Sequence, residues 1–407
     1  MTNPILTPRR ERWMLISLAA IQFTNIVDFM IMMPMGDLLQ RRLEIGPEKY
    51  GWLVSSYGLA AFATAFAGVF YLDRLNRKTA LMSAYFGFAV ATLMSAVLPS
   101  TDNLELNYAL FVLTRVLTGF TGGLLGGLVF SIVGDLVPIE RRGKAMAIVT
   151  MAFSFAAVIG VPLSLALVDG FGNNWRAPFL FVSALSLLVL LPTYFFIPRM
   201  APKVKTGSTG ILKAVMGNAK FRWALLFTFS LILGQFTVIS FMTPYFINNV
   251  GLEQSDIKFI YIAGGIATIV SGPIFGSLVD KYGRFKVFYV TAFLSIIPIL
   301  IITQLPQVAL GFVILSGMLM FMMIAGRMIP ANTIASEIPP PQMRAGFLSL
   351  NSAFMSLSSG ISGLISGLIV TQSAHGMPYE NYGWVGLLAV LATLLSISIC
   401  RKLHRSS

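Results

Sequence analysis

Apolar stretches of about 20 residues or more, each long enough to cross a bilayer as a helix, recur along the whole of this chain. Twelve can be delimited, near 13–38, 49–72, 78–98, 104–136, 143–168, 176–197, 222–248, 254–279, 285–304, 308–336, 343–371 and 380–401. In hydrocarbon every backbone N–H and C=O must be satisfied internally, so such runs can only be helices. The strands of a membrane barrel alternate over about ten residues and are excluded by run length. Only 11% of the residues are charged, against about a quarter in a typical soluble domain. The expected fold class is an all-α membrane protein with twelve transmembrane helices.

The net charge of +13 does not point to a nucleic-acid partner, because of where the cations fall. With twelve crossings and an inside N-terminus, Arg9, Arg10, Arg12, Arg77, Lys78, Arg141, Arg142, Lys144, Arg284, Lys286, Arg401 and Lys402 belong to one set of loops and tails. The opposite loops hold only Arg41, Arg42, Lys49, Arg176 and Lys258. That bias is the positive-inside rule, which places both termini in the cytoplasm of a plasma-membrane protein whose solvent is the lipid bilayer. The single cysteine, Cys400, excludes an internal disulfide.

The polar stretch after the sixth run divides the chain into a six-helix bundle over 1–200, a basic cytoplasmic linker over 201–221 and a second bundle over 222–407. The two bundles repeat one another. IQFTNI (21–26) matches GQFTVI (234–239), GLAAFATAFAGVFYLD (58–73) overlays GIATIVSGPIFGSLVD (265–280), and ERRGKAM (140–146) matches MRAGFLS (343–349). Parallel six-helix repeats imply a transporter with its site between them, near the midplane.

The stretch VFYLDRLNRKTAL (69–81), joining the second and third runs, and its second copy around VDKYGRFK (279–286) make a resemblance specific. They are similar to the signature loop of the major facilitator superfamily, and the chain resembles its twelve-helix drug or sugar antiporter branch along its whole length. Asp73, Arg74, Arg77 and Lys78 match the signature, as do Asp280, Lys281, Gly283 and Arg284 in the second copy. Asn76 stands where the signature has Gly and is expected to tolerate a left-handed turn. What the resemblance implies is the major facilitator fold, two pseudo-symmetric six-helix halves, a monomer, and clusters that hold the cytoplasmic side closed in one state. From charge and placement, Asp73, Arg74, Arg77 and Asp135 form one such cytoplasmic gate, and Asp280, Lys281, Arg284 and Glu337 its repeat. Topology and helix capping alone are the alternative.

Gly119, Gly123 and Gly127 lie four apart in the fourth run, a spacing that lets helices approach closely in lipid. Gly160 and Pro162 in the fifth run resemble the antiporter motif, with Val161 splitting its Gly-Pro pair, and favour export. Among the acidic residues only Asp28 lies deep within a run, where an ionisable group marks function by default. Arg115 matches the family's intramembrane arginine, which the resemblance links to proton coupling. Asp28 is thus the expected proton carrier and Arg115 its modulator; a permanent structural ion pair is the alternative, and the sequence leaves open whether they meet. Gln22, Asn25, Gln235, Thr237, Arg327 and Asn351 are candidate polar groups of a substrate cavity.

No phosphate-binding loop, metal-ligand cluster or cofactor motif occurs, and His375 and His404 lie in a loop and the tail, which disfavours a membrane enzyme. The expected activity is proton-coupled transport of a small organic solute, drug-like or sugar, most readily outward. An uptake symporter or a lipid translocator on the same fold is the alternative.

Overall fold

A computed structural model describes residues 7–71, 75–99, 101–200, 214–340, 343–373 and 378–405. The first half begins with α1 (Pro8–Met30), capped by the Thr7 side chain, which accepts from the Arg10 amide at 3.4 Å. Pro34 has no N–H to return to the Met30 carbonyl, so the helix stops there and restarts as α2 (Gly36–Leu43). The single run expected over 13–38 is therefore two elements, and Asp37 sits on the second. α3 (Pro47–Tyr71), α4 (Arg77–Val97) and α5 (Leu104–Leu136) follow. At 33 residues α5 is about 50 Å long at 1.5 Å per residue, so it must tilt or extend past a hydrocarbon core of about 30 Å.

α6 (Ile139–Phe155) continues through a π-helical turn (Ala156–Gly160) into α7 (Val161–Gly170). Pro162 cannot donate to the carbonyl of Val158, and the wider turn absorbs that missing bond. α8 (Ala177–Phe196) completes the first half.

The second half comprises α9 (Ala219–Tyr245), extended by a second π turn (Phe246–Val250), then α10 (Gln254–Tyr282). α11 (Arg284–Leu294) and α12 (Ile296–Thr303) are one crossing broken at Ser295, where Pro298 withdraws the bond to Leu294. α13 (Leu310–Glu337), α14 (Arg344–Ile369) and α15 (Tyr382–Arg405) follow, with a short antiparallel ribbon, β1 (Thr371–Gln372) and β2 (Tyr379–Glu380), before the last helix.

Among the described residues, eleven helical segments are long and apolar enough to span a membrane. α3, 25 residues rich in Gly, Ala and Ser, brings the crossings to the expected twelve. Large apolar side chains such as Leu188, Leu191, Phe195, Val270 and Leu391 project from the bundle's outside, as a lipid-facing surface requires. An even number of crossings puts both termini at one face, called here the terminal face; the opposite end is the far face.

The seam between the halves is built mainly by α3 against α14, with α5 also on α14 and the first π turn and α7 on α10. Small residues let the backbones meet. A Cβ on Gly58 would lie 2.7 Å from the Gly360 nitrogen, and one on Gly51 2.7 Å from the Gly363 carbonyl oxygen. Within the second half, Ser358 on α14 donates to the Phe229 carbonyl on α9 at 2.6 Å, while Ser362 and Ser366 share their protons between carbonyls of α14, at 2.7 and 2.8 Å, and those of Leu233 and Thr237 on α9, at 3.2 and 2.8 Å. These hydroxyls tie the two helices where apolar packing gives no preference over lipid.

Candidate functional site

Two charges meet in the interior of the first half. Arg115 on α5 donates through Nη1 to Asp28 Oδ2 on α1 at 2.9 Å, and through Nη2 to the Asp28 carbonyl at 3.4 Å. Both side chains are fully buried. Thr92 on α4 donates to the other carboxylate oxygen at 3.3 Å. The guanidinium lies 5.0 Å from the ring centre of Tyr57 and 5.7 Å from that of Phe179, so π faces take up part of its desolvation. The question left by the sequence is thus answered: Asp28 and Arg115 are in contact.

The glycines of α5 make this arrangement possible. A Cβ on Gly119 would stand 2.3 Å from the Tyr57 carbonyl oxygen, and one on Gly123 2.3 Å from that of Ala61. Without side chains there, α3 seats directly on α5 and presents Tyr57 beneath Arg115. A Cβ on Gly122 would meet Asn25 Oδ1 and the Tyr57 hydroxyl, which bond each other at 2.7 Å. Gly127 faces Ser349 of α14 across the seam, and Gly160 in the π turn packs against Val27 of α1. Phe29 stacks on Tyr57 and on Phe236 of α9, both at 5.3 Å between ring centres. An aromatic chain therefore runs from the second half to the back of the ion pair.

At the terminal face Arg77 pairs with Asp135 and also donates to the Ser131 carbonyl at 3.3 Å. The second half repeats this with Arg284 and Glu337 at 2.7 Å. Each pair lies within its own half. Asp73 and Arg74 lie outside the described residues. Asp280 and Lys281 are exposed, Lys281 lying over the Tyr282 ring. Asn76 corrects the expectation of a left-handed turn. It is extended, with φ −65°, and caps α4 by accepting from the amides of Lys78 and Thr79 at 3.0 and 3.3 Å. Its partner Gly283, at φ +83°, does occupy the left-handed half of the map. The two loops solve one turn in two ways, by cap and by glycine.

The far face is sealed by polar contacts between the halves. Asp37 accepts from Asn248 at 2.6 Å and pairs with Arg41 at 2.8 Å; Gln254 donates to the Pro34 carbonyl at 3.2 Å; Lys258 pairs with Asp169 at 2.8 Å. Tyr379, on the ribbon, donates to Gln40 at 2.9 Å, while Asn249 holds the Tyr379 backbone by two bonds of 2.8 Å. Burial, reinforced by nearby Asp37, keeps the Tyr379 phenol above its ordinary pKa, so it remains a donor across physiological pH. Tyr379→Phe removes one bond across this seal, worth about 0.5–1.5 kcal/mol, and should shift the balance toward an open far face by about 2–10-fold. Spin-label distances between positions 42 and 253 would read that shift; an unchanged distribution would remove Tyr379 from the closure. A cavity of about 520 Å³ also opens near Arg42, Thr101 and Arg176, but every residue lining it belongs to the first half. It is therefore not the path between the halves.

The candidate cavity residues separate into two groups. Gln22 and Asn25 share the α1 face that carries Asp28, and Gln235, buried with an unpartnered Oε1, neighbours Phe236 on α9. Thr237 donates to the Leu233 carbonyl within α9, and Asn351 accepts from Thr228 at 2.5 Å; both lie on the α9–α14 contact. Arg327 is placed inside the second bundle, donating to Ser295 and Thr393 at 3.3 and 3.4 Å. Tyr57, Thr92, Phe29 and Phe236 were not singled out from the sequence, because aromatic and hydroxyl residues in a membrane helix carry no signal apart from their neighbours. Among the described residues no group of His, Cys, Asp and Glu could hold a metal ion.

The family model described as Major Facilitator Superfamily matches residues 18–255 and 224–405. An uncharacterized MFS-type transporter of Bacillus subtilis (strain 168) is 23% identical over 391 residues, covering 95% of this chain and 96% of its own. A chloramphenicol efflux pump of Mycobacterium tuberculosis (strain H37Rv) is 26% identical over 255 residues, 62% of this chain and 60% of the pump. Among solved structures, a D-xylose-proton symporter superposes with a TM-score of 0.75 at 18% identity, covering 96% of this chain and 97% of that one.

Proposed function

The chain belongs to the Major Facilitator Superfamily, and from that premise we propose that it is a proton-coupled exporter of a small organic solute, drug-like or sugar, working as a monomer by alternating access. The terminal face is the cytoplasmic one, in keeping with its excess of Lys and Arg. The observation that carries the reading is the buried Asp28–Arg115 pair, backed by an aromatic chain that reaches the other half. A carboxylate inside a membrane needs its cation. When the halves rock and Phe236 leaves Phe29, Tyr57 loses its backing and Arg115 can withdraw, so that Asp28 takes up a proton from whichever face is then open. Solute binding on the return reseats the pair and releases the proton. Similarity to a chloramphenicol pump and to a D-xylose-proton symporter supports both the solute class and the coupling.

The test is solute-induced proton release in everted membrane vesicles, with chloramphenicol, a lipophilic cation and D-xylose as probes. Wild type should respond to one class, and Asp28→Asn should lose at least 90% of the response while reaching the membrane in normal amount. An equal response in both would retire Asp28 as carrier. Proton uptake instead of release on addition of solute would reverse the direction to symport.

A further inference from the structure

The two halves treat a buried arginine differently. In the first, Arg115 is neutralised by Asp28 at 2.9 Å. In the second, Arg327 on α13 is equally buried, 1% exposed, and among the described residues its side chain bonds to two hydroxyls alone. Those hydroxyls have already committed their protons: Ser295 donates to the Ala292 carbonyl at 2.7 Å and Thr393 to that of Ala389 at 2.8 Å. They offer lone pairs to the guanidinium at 3.3 and 3.4 Å, beyond the usual range for such bonds, and no charge.

Among the described residues no carboxylate reaches Arg327. Every acidic residue after position 222 lies at a helix end or in a loop: Glu253, Asp256, Asp280, Glu337 and Glu380. The nearest along α13, Glu337, is ten residues on, about 15 Å at 1.5 Å per residue, and is paired with Arg284. α11 ends at Ser295, whose side chain meets Arg327, and a helix C-terminus carries a partial negative charge only. The buried Nε of Arg327 has no acceptor among the described residues. Arg115 shares that feature, so what separates the two arginines is the counter-charge. Arginine does not relieve the deficit by losing its proton.

We infer that Arg327 holds a small inorganic monovalent anion, of the chloride class, inside the second bundle, on the side of its guanidinium away from Ser295 and Thr393. The anion accepts from the Nε side of the guanidinium and does for Arg327 what Asp28 does for Arg115. Its place between α11, α12, α13 and α15 separates it from the Asp28 pair, so it stands independently of the proposed proton coupling.

The experiment uses the full chain purified in detergent. Equilibrium dialysis against radiolabelled chloride should find one saturable site per chain. Exchanging gluconate for chloride at constant ionic strength should raise the unfolding midpoint by roughly 2–5 °C and then plateau, as ligand linkage requires. Arg327→Met, close in shape and uncharged, should abolish both responses. Crystals grown with bromide should show its anomalous signal beside Arg327, a reading that needs no variant to fold. The inference is overturned by the lack of saturable chloride binding in wild type, by an undiminished response in Arg327→Met, or by bromide seated elsewhere. Stabilisation by acetate and not by chloride would overturn the halide assignment and make the site one for carboxylates.

Discussion

Arg115→Ala is expected to be among the most destabilising single substitutions in this protein, by about 3–5 kcal/mol, because it strands the fully buried Asp28 carboxylate. Thr92, at 3.3 Å, and the Asn25–Tyr57 pair nearby are neutral dipoles and cannot replace a cation. The size of the loss comes from the charge left behind more than from the bond removed, and a second variant separates the two. Asp28→Leu combined with Arg115→Met leaves no buried charge, and replacing a buried pair by apolar residues is often neutral or stabilising. The double variant should therefore regain most of the wild-type thermal stability in detergent while transporting nothing. If Arg115→Ala unfolds at the wild-type temperature, Asp28 is either reached by water or neutralised by a proton in the resting state, and no stranded charge destabilises the fold.

A similar loss should follow from a single methyl group. Gly123→Ala puts a Cβ 2.3 Å from the Ala61 carbonyl oxygen and 2.6 Å from the Ala61 Cα, and both are backbone atoms that cannot turn aside. Overpacking of this kind costs about 1–3 kcal/mol. Here α3 must also move off α5, carrying Tyr57 away from Arg115. Gly119→Ala, aimed at the backbone of Tyr57 itself, should impair transport at least as much. Gly276→Ala on α10, which unlike Gly272 is not followed by a proline, is the control. Nothing lies within 4 Å of its Cβ, and helix propensity favours alanine by up to about 1 kcal/mol, so it should be neutral or mildly stabilising. Folded yield and unfolding temperature of the three variants would check this. Equal tolerance of all three would mean that the α3–α5 contact is looser than drawn.

Much of the architecture was legible because a bilayer enforces it. Run length dictates helices, the Lys and Arg bias orders the loops, and the repeat of IQFTNI as GQFTVI and of LDRLNRK as VDKYGRFK divides the chain into halves. Asp28 stood out because a charge in an apolar run is costly, and Arg115 through its resemblance to the family's intramembrane arginine. Where local chemistry had a choice, the sequence misled. Pro34 cut the first run into α1 and α2, and Asn76 served as a helix cap where a left-handed turn was expected. For Arg327 the sequence had left a cavity role and a structural one open, with the structural one favoured, and the contacts with Ser295 and Thr393 place it inside the second bundle.

The sequence by itself determined what lipid demands of any chain: the number and type of spans, their division into two copies, and which charges had to be accounted for. Only the tertiary structure decided which side chains meet. That Arg115 finds Asp28 eighty-seven positions away, that Tyr57 lies under it because Gly119 and Gly123 have no Cβ, and that Arg327 finds no carboxylate among the described residues are outcomes of helix-on-helix packing. In lipid no hydrophobic gradient says which faces should touch, so small residues and hydrogen bonds choose the partners, and their choice is written in three dimensions.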